Sequence, residues 1–212
     1  DWEMRGEGLD LQQLSLFARG MDFSYDLDLT ADGPIIFHGQ DGYSVKSPQG
    51  QASHYYSQPF YRVTGTLTLP EGDVEVTGNG WLDREWSSQP LAADQDGWDW
   101  FSLQFADGAR LMGFGLRGLE TVFTSATWID PDGTVTPYGD GELRMEALDW
   151  AEVAGREVPV SWRVELPERG VDIVTTPLNP GAWMDLSFAY WEGPISFSGS
   201  HEGRGYLEMT GY

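Results

Sequence analysis

Residues 78–103, GNGWLDREWSSQPLAADQDGWDWFSL, concentrate the side chains whose types and spacing suit chemistry. Trp81, Trp86, Trp98 and Trp100, four of ten tryptophans, surround Asp83, Arg84, Glu85 and Asp99. Side chains alternate along a strand, so Trp81, Asp83 and Glu85 share one face while Leu82, Arg84 and Trp86 take the other. If the first face lines a barrel, its carboxyl groups are either neutralised by partners or shifted in pKa, because an unpaired buried charge is expensive. Asp83 and Glu85 are therefore the candidate acids. A structural ion-pair network of Asp83, Arg84 and Glu85 is the competing reading, since such networks also perturb pKa values.

The elements that must position these groups read as strands. Residues 11–18 and 21–29 flank Arg19-Gly20, and the second run alternates Phe23, Tyr25, Leu27 and Leu29 against Asp22, Ser24, Asp26 and Asp28. Residues 39–50 are Gly, Pro and polar, which predicts a loop or lid. Residues 53–57 and 61–69 read as two strands separated at Pro59, and the turn at 70–73 leads back into 74–86. Beyond the polar linker 90–97 come strands at 98–105, 110–117, 121–129, 135–137, 142–150, 161–165, 171–175, 184–191, 194–201 and 205–210. Short strands with frequent turn signals, 27 glycines and almost no helical period predict an all-β antiparallel barrel or sandwich.

Composition narrows the partners. A net charge of -22 with 12 basic residues argues against nucleic acid and against anionic membrane surfaces. The absence of cysteine excludes disulfides, thiolate metal sites and a thiol nucleophile. No apolar run approaches the roughly 20 residues of a membrane-spanning helix, and the first residues carry no signal-peptide pattern. His38, His54 and His201 are scattered, so no metal site is expected. Tyr55 and Tyr56, as neighbours in a strand, must face opposite ways. Glu192 and Glu208, set in otherwise apolar strands, read equally as buried partners of arginine and as functional acids. No Ser-His-Asp order, phosphate loop or HExxH helix is present.

GWLDREWSSQPL, GWDWFSLQ followed by DGARLMGF, the tetrad Tyr190-Trp191-Glu192-Gly193 and the terminal GRGYLEMTGY resemble the AttH-like group of secreted proteins, which is related to carotenoid 1,2-hydratase. The resemblance implies lipocalin-like antiparallel barrels in tandem. Residues 1–90 would be the C-terminal part of a first, incomplete barrel, and 91–212 a second barrel. It also implies that a missing N-terminal segment or a second chain completes the first barrel, or that this is a short member with a rearranged first barrel, and that the protein is periplasmic or secreted. Where carotenoid hydratases carry His-Asp-His-Asn-Trp, this chain has Leu82-Asp83-Arg84-Glu85-Trp86. Asp83 and Trp86 match, whereas both histidines and the Asn are replaced, and an arginine beside the carboxylates favours their charged form.

Two functions follow from the resemblance. The first is a lipocalin-like binder of a small hydrophobic ligand, associated with an ABC export system and lined by Tyr55, Tyr56, Trp81, Arg84, Trp86, Trp98, Asp99 and Trp100. The second is a cofactor-independent hydratase or isomerase acting on an isoprenoid or lipid-like substrate, with Asp83 or Glu85 as acid. Neither needs a cofactor. A carboxylate without an Arg or Lys partner favours the enzyme, and paired carboxylates favour the binder.

Overall fold

The computed structural model describes residues 1–6, 8, 10–88, 91–119 and 121–212. Seven strands, β1 (Trp2–Gly6), β2 (Gln13–Arg19), β3 (Ser24–Ala31), β4 (Ile36–Phe37), β5 (Tyr43–Val45), β6 (Ala52–Leu69) and β7 (Gly72–Trp86), form one sheet. Ten more form the other: β8 (Gln95–Phe105), β9 (Arg110–Gly118), β10 (Val122–Ile129), β11 (Val135–Tyr138), β12 (Arg144–Val153), β13 (Arg156–Leu166), β14 (Val171–Pro177), β15 (Trp183–Met184), β16 (Tyr190–Gly199) and β17 (Gly203–Met209). Among the described residues the one helical element is the 3-10 turn Pro167–Arg169.

The chain divides into two compact units that interleave in sequence. One comprises Asp1–Ile36 with Tyr56–Arg84, and the other Phe37–Tyr55 with Glu85–Tyr212. The sequence reading set a single boundary at 90/91; residues 37–55 here belong with the second unit.

In the first unit β1, β2, β3 and β6 pair in that order, and β7 pairs with β6. The alternation expected for the second run is present: Leu27 and Leu29 face the apolar cluster of Leu14, Tyr61, Leu16, Val63 and Leu82, while Asp26 and Asp28 are exposed. β1 pairs with β2 and ends the hydrogen-bonded path among the described residues.

The second unit runs β11-β10-β9-β8-β17-β16-β14-β13-β12. The two ends of this path, β11 and β12, are joined by residues 139–143, and so short a connector spans at most about 20 Å. The sheet must therefore curl upon itself. Arg169 helps hold the seam, donating to Tyr138 Oη at 2.7 Å and to Thr136 Oγ1 at 2.6 Å on β11. Inside lie Phe101, Leu103, Phe105, Trp128, Trp162, Trp191, Ile195, Phe197, Leu207 and Met209. On β8, β16 and β17 these core residues are odd-numbered, so the even-numbered side chains of those strands point outward.

Three expectations about local structure change. Residues 39–50 are not simply a loop: Asp41 and Gly42 both have positive φ, and Gln40 and Tyr43 exchange backbone hydrogen bonds of 3.0 and 2.9 Å, closing a tight hairpin into β5. Such a turn requires left-handed conformations that Asp-Gly supplies. β6 runs unbroken through Pro59, from the stretch paired with β5, which ends at His54, into the stretch paired with β3 from Tyr61, so the proline does not divide it into two strands. β16 likewise continues through Pro194, and residues 185–189 are not strand. Of the expected linker 90–97, Pro90 lies outside the described residues, and β8 already begins at Gln95.

Candidate functional site

One group of buried titratable side chains in the second unit is built by residues 37–55. The Asp41-Gly42 hairpin folds this segment back so that His38 N donates to Tyr55 O at 3.1 Å and Tyr55 N to Gly42 O at 2.9 Å. The His38 and Tyr55 rings then lie 4.2 Å apart, and both residues are buried. Burial, reinforced by the positive charge of Lys46, lowers the His38 pKa from 6.5 to about 3. The imidazole is neutral at any physiological pH.

Lys46 is buried too. Its Nζ lies 2.6 Å from Glu85 Oε1, 3.9 Å from the centre of the Phe114 ring and 5.0 Å from that of Tyr55. Ser53 Oγ donates to the same Glu85 oxygen at 2.5 Å. The ammonium thus has a carboxylate partner and two aromatic faces. Phe114 on β9 stands directly across from Trp100 on β8, and Trp100 Nε1 donates to Tyr55 Oη at 2.9 Å. Residues 37–55 therefore cover the outer face of β8 and β9, which is why they group with this unit.

That outer face continues over β17 and β16. Trp98 Nε1 donates to Glu208 Oε1 at 2.7 Å, and the Trp98 ring packs 5.8 Å from Phe188 and 6.1 Å from Tyr190. Glu192 on β16 is directly opposite Glu208 on β17. Burial raises the Glu192 pKa, against the opposing effect of its hydrogen bond with Tyr206. Among the described residues no Arg or Lys forms an ion pair with Glu192. Burial and the neighbouring Glu192 push the Tyr206 hydroxyl up to about 12, so it stays protonated.

Asp99 points the other way. It is buried on the core side, paired with Arg117 Nη1 and accepting from Tyr212 Oη at 2.8 Å. Arg117 Nη2 also donates to Thr210 O, and its guanidinium lies 3.9 Å from the Tyr212 ring centre. Gly97 is required beside them, since a Cβ there would run into Thr210 O and the Arg117 side chain. Burial raises the Asp99 pKa, and Arg117 and Tyr212 oppose the shift. Trp98 and Trp100 thus share a face that Asp99 does not.

In the first unit Asp83 accepts from Ser57 Oγ and, at 2.9 Å, from Trp81 Nε1. Trp81 and Asp83 lie on one face of β7, as the alternation requires, and Leu82 packs into the apolar cluster on the other. The carboxylate therefore faces away from the apolar interior of its unit. Tyr56 is half-buried, and Arg84 is exposed with no ion pair among the described residues. Trp86, at the end of β7, is exposed, its ring 5.7 Å from that of His54. The described residues contain no cluster of His, Cys, Asp and Glu able to hold a metal.

Sequence reasoning passed over Lys46 altogether and treated His38 as scattered. The signal that was available is compositional: Lys46 is the one lysine of the chain.

Curled antiparallel sheets of this kind, all-β and in tandem, define a lipocalin-like protein. The AttH-like family model matches residues 1–212, and the chain belongs to that family. The crystal structure of an AttH protein from Nitrosomonas europaea is 33% identical with a TM-score of 0.91, covering 100% of this chain and 68% of its own. Kievitone hydratase from Nectria haematococca is 18% identical with a TM-score of 0.82, covering 99% of this chain and 68% of its own, and shares the fold. No curated protein matches the chain.

Proposed function

We propose that this AttH-like protein binds a small hydrophobic ligand along the outer face of β8, β17 and β16. The observation that carries the reading is the aromatic row there: half-buried Trp100, Trp98 and Tyr190 with exposed Phe188 on one surface, bounded by Lys46 at one end and Glu192 and Glu208 at the other. Isolated surface aromatics are ordinary, but a contiguous row with polar groups at its ends is how ligand sites are commonly built. Glu85 and Asp99 have cationic partners, Lys46 and Arg117, which supports a binder rather than an acid catalyst at those two positions. The proposed lining comprises Trp98, Trp100 and Tyr55; Tyr56, Trp81, Arg84, Trp86 and Asp99 remain proposals from the sequence alone. Export and association with an ABC transporter belong to the same proposal.

Titration with a naphthalene or polyene probe tests it through intrinsic tryptophan emission. W98A and W100A should each weaken binding at least fivefold, about 1 kcal/mol or more of aromatic contact. Unchanged affinity in both variants would remove the proposed surface.

One observation favours a second reading, a hydratase-like enzyme: Glu192 is half-buried, keeps its proton to a higher pH than an ordinary carboxylic acid and sits beside aromatic rings. Such a group can protonate an alkene, with Trp98 and Tyr190 stabilising the cation. Asp83 and Glu85, the acids proposed from the sequence, have hydrogen-bonded or ion-paired surroundings instead. The fold shared with a hydratase supports testing for activity.

A further inference from the structure

The wall of the second unit changes partners at one end. β14 pairs with β16 from Ile173 opposite Gly199 to Pro177 opposite Ile195. Beyond that the two-residue β15 takes its place, Trp183 opposite Trp191 and Met184 opposite Tyr190. β13 pairs with β14 from Arg163 to Leu166, so among the described residues the ladder of 156–162 is on the β12 side only. Between that part of β13 and the end of β16 the wall is closed by side chains. Trp183, half-buried, packs against the core cluster, and the Arg156 guanidinium lies 5.2 Å from the centre of its ring. Tyr212 caps the same end. β17 stops at Met209, and Gly211, with a φ of 86°, turns the chain; a Cβ there would come within 2.5 Å of Asp96 O. The Tyr212 side chain then spans from β8 and β9 to β12: its hydroxyl donates to Asp99 at 2.8 Å, and its ring lies 3.9 Å from the Arg117 guanidinium and 6.0 Å from the Trp150 ring.

We propose that residues 181–184 and Tyr212 are the two leaves of a door into the core of the second unit, fastened by Arg156, and that they open together. Arg156 holds both leaves: besides lying over Trp183, its Nη1 donates to Tyr212 O at 2.7 Å. Thr210 Oγ1 adds a second tie, donating to Ala189 O at 3.0 Å. β15 has only two residues and 185–189 are irregular, so little backbone bonding holds the first leaf. Segments of that kind open at the low end of a protein's stability range. Arg156 is itself exposed, so releasing its two contacts leaves no charge stranded in the interior. Behind the door lie the buried Asp99, paired with Arg117, and, next inward along β8, Phe101. This is the core face of β8, opposite to the face that carries Trp98 and Trp100, so the inference stands without the ligand-binding reading above.

Native-state hydrogen exchange followed by NMR has a reporter for each leaf: Glu192 N–H, which donates to Ala182 O at 2.9 Å, and Thr210 N–H, which donates to Trp98 O at 3.0 Å. In R156Q both should exchange about tenfold faster and by the same factor, the ordinary worth of a hydrogen bond from a charged group. Amides of the β9–β10 ladder should keep their wild-type rates. Phenylglyoxal labelling of Arg117, read by mass spectrometry, should quicken by a similar factor, because the guanidinium is uncovered when the door opens. Y212F supplies the test of coupling: it removes only the hydroxyl that Asp99 accepts from, yet it should also speed exchange at Glu192. Acceleration at one reporter alone in R156Q, or a Glu192 rate unmoved by Y212F, would show that the leaves part separately and overturns the inference. Equal acceleration across the β9–β10 amides would mark loosening of the whole unit, and unchanged rates at both reporters would show that Arg156 fastens nothing; either result overturns it as well.

Discussion

Acidification should destabilise this protein through one side chain in particular, His38. The group is fully buried against the Tyr55 ring, and its pKa falls from 6.5 to about 3 on folding, first through burial and then through Lys46. A histidine depressed in the folded state contributes stability that is fully present above pH 6.5 and is lost as pH falls toward 3. The gap between those values, at 1.36 kcal/mol per unit, amounts to about 5 kcal/mol over the full window. At pH 4 about 3 kcal/mol of it is lost, since the unfolded chain is then protonated and the folded one is not. Charged and titratable groups packed nearby are Lys46, Glu85 and Tyr55, so the proper control changes His38 alone. Urea unfolding followed by tryptophan emission, run from pH 7 to pH 4 on wild type and H38Q, isolates the effect, since every other side chain is common to the two proteins. The stability difference between the two proteins should shift by about 3 kcal/mol in favour of H38Q across that range. Parallel curves would mean that His38 binds a proton as readily folded as unfolded, and the buried-imidazole argument would fail.

Replacing Arg117 by Met leaves Asp99 buried without its cation; calorimetry should show a loss of about 3–5 kcal/mol, a fall in melting temperature of roughly 6–20 °C for a chain of this size, and an unchanged transition would show that the pair is dispensable. Glu192 has a folded pKa above its ordinary 4.5, so its contribution is present below pH 4.5 and is lost as pH rises through the folded value. E192Q should therefore be more stable than wild type at pH 7 and lose that advantage toward pH 4, and an advantage of the same size at both pH values would contradict the assignment.

Most of the fold could be read from periodicity because the physics is local. Leu27 and Leu29 alternate with Asp26 and Asp28 whatever the rest of the chain does, and a strand with one apolar face must bury it. Prolines misled for a physical reason. A proline removes one donor but does not bar an extended backbone, and β6 continues through Pro59 from its pairing with β5 into its pairing with β3. Asp41-Gly42 was a hairpin signal in plain view, masked by the Gly, Pro and Ser around it.

The site was less legible because its charges come from distant parts of the chain. Asp83, Arg84 and Glu85 suggest a local network when read side by side, yet alternation turns Arg84 away from both carboxylates. The cation that Glu85 meets is Lys46, delivered by a hairpin far upstream. Nothing in the periodicity of residues 39–50 says that they will lie on the outer face of β8 and β9. Alternation also divides Trp98-Asp99-Trp100: the two indoles go outward, toward Tyr55 and Glu208, and the carboxylate goes inward to Arg117. A sequence can show which side chains share a face; it shows which face is wet only once the covering segment is known. Here that segment carries the chain's single lysine, and the spareness of its use was the clue that pattern-reading by strand had no means to weigh.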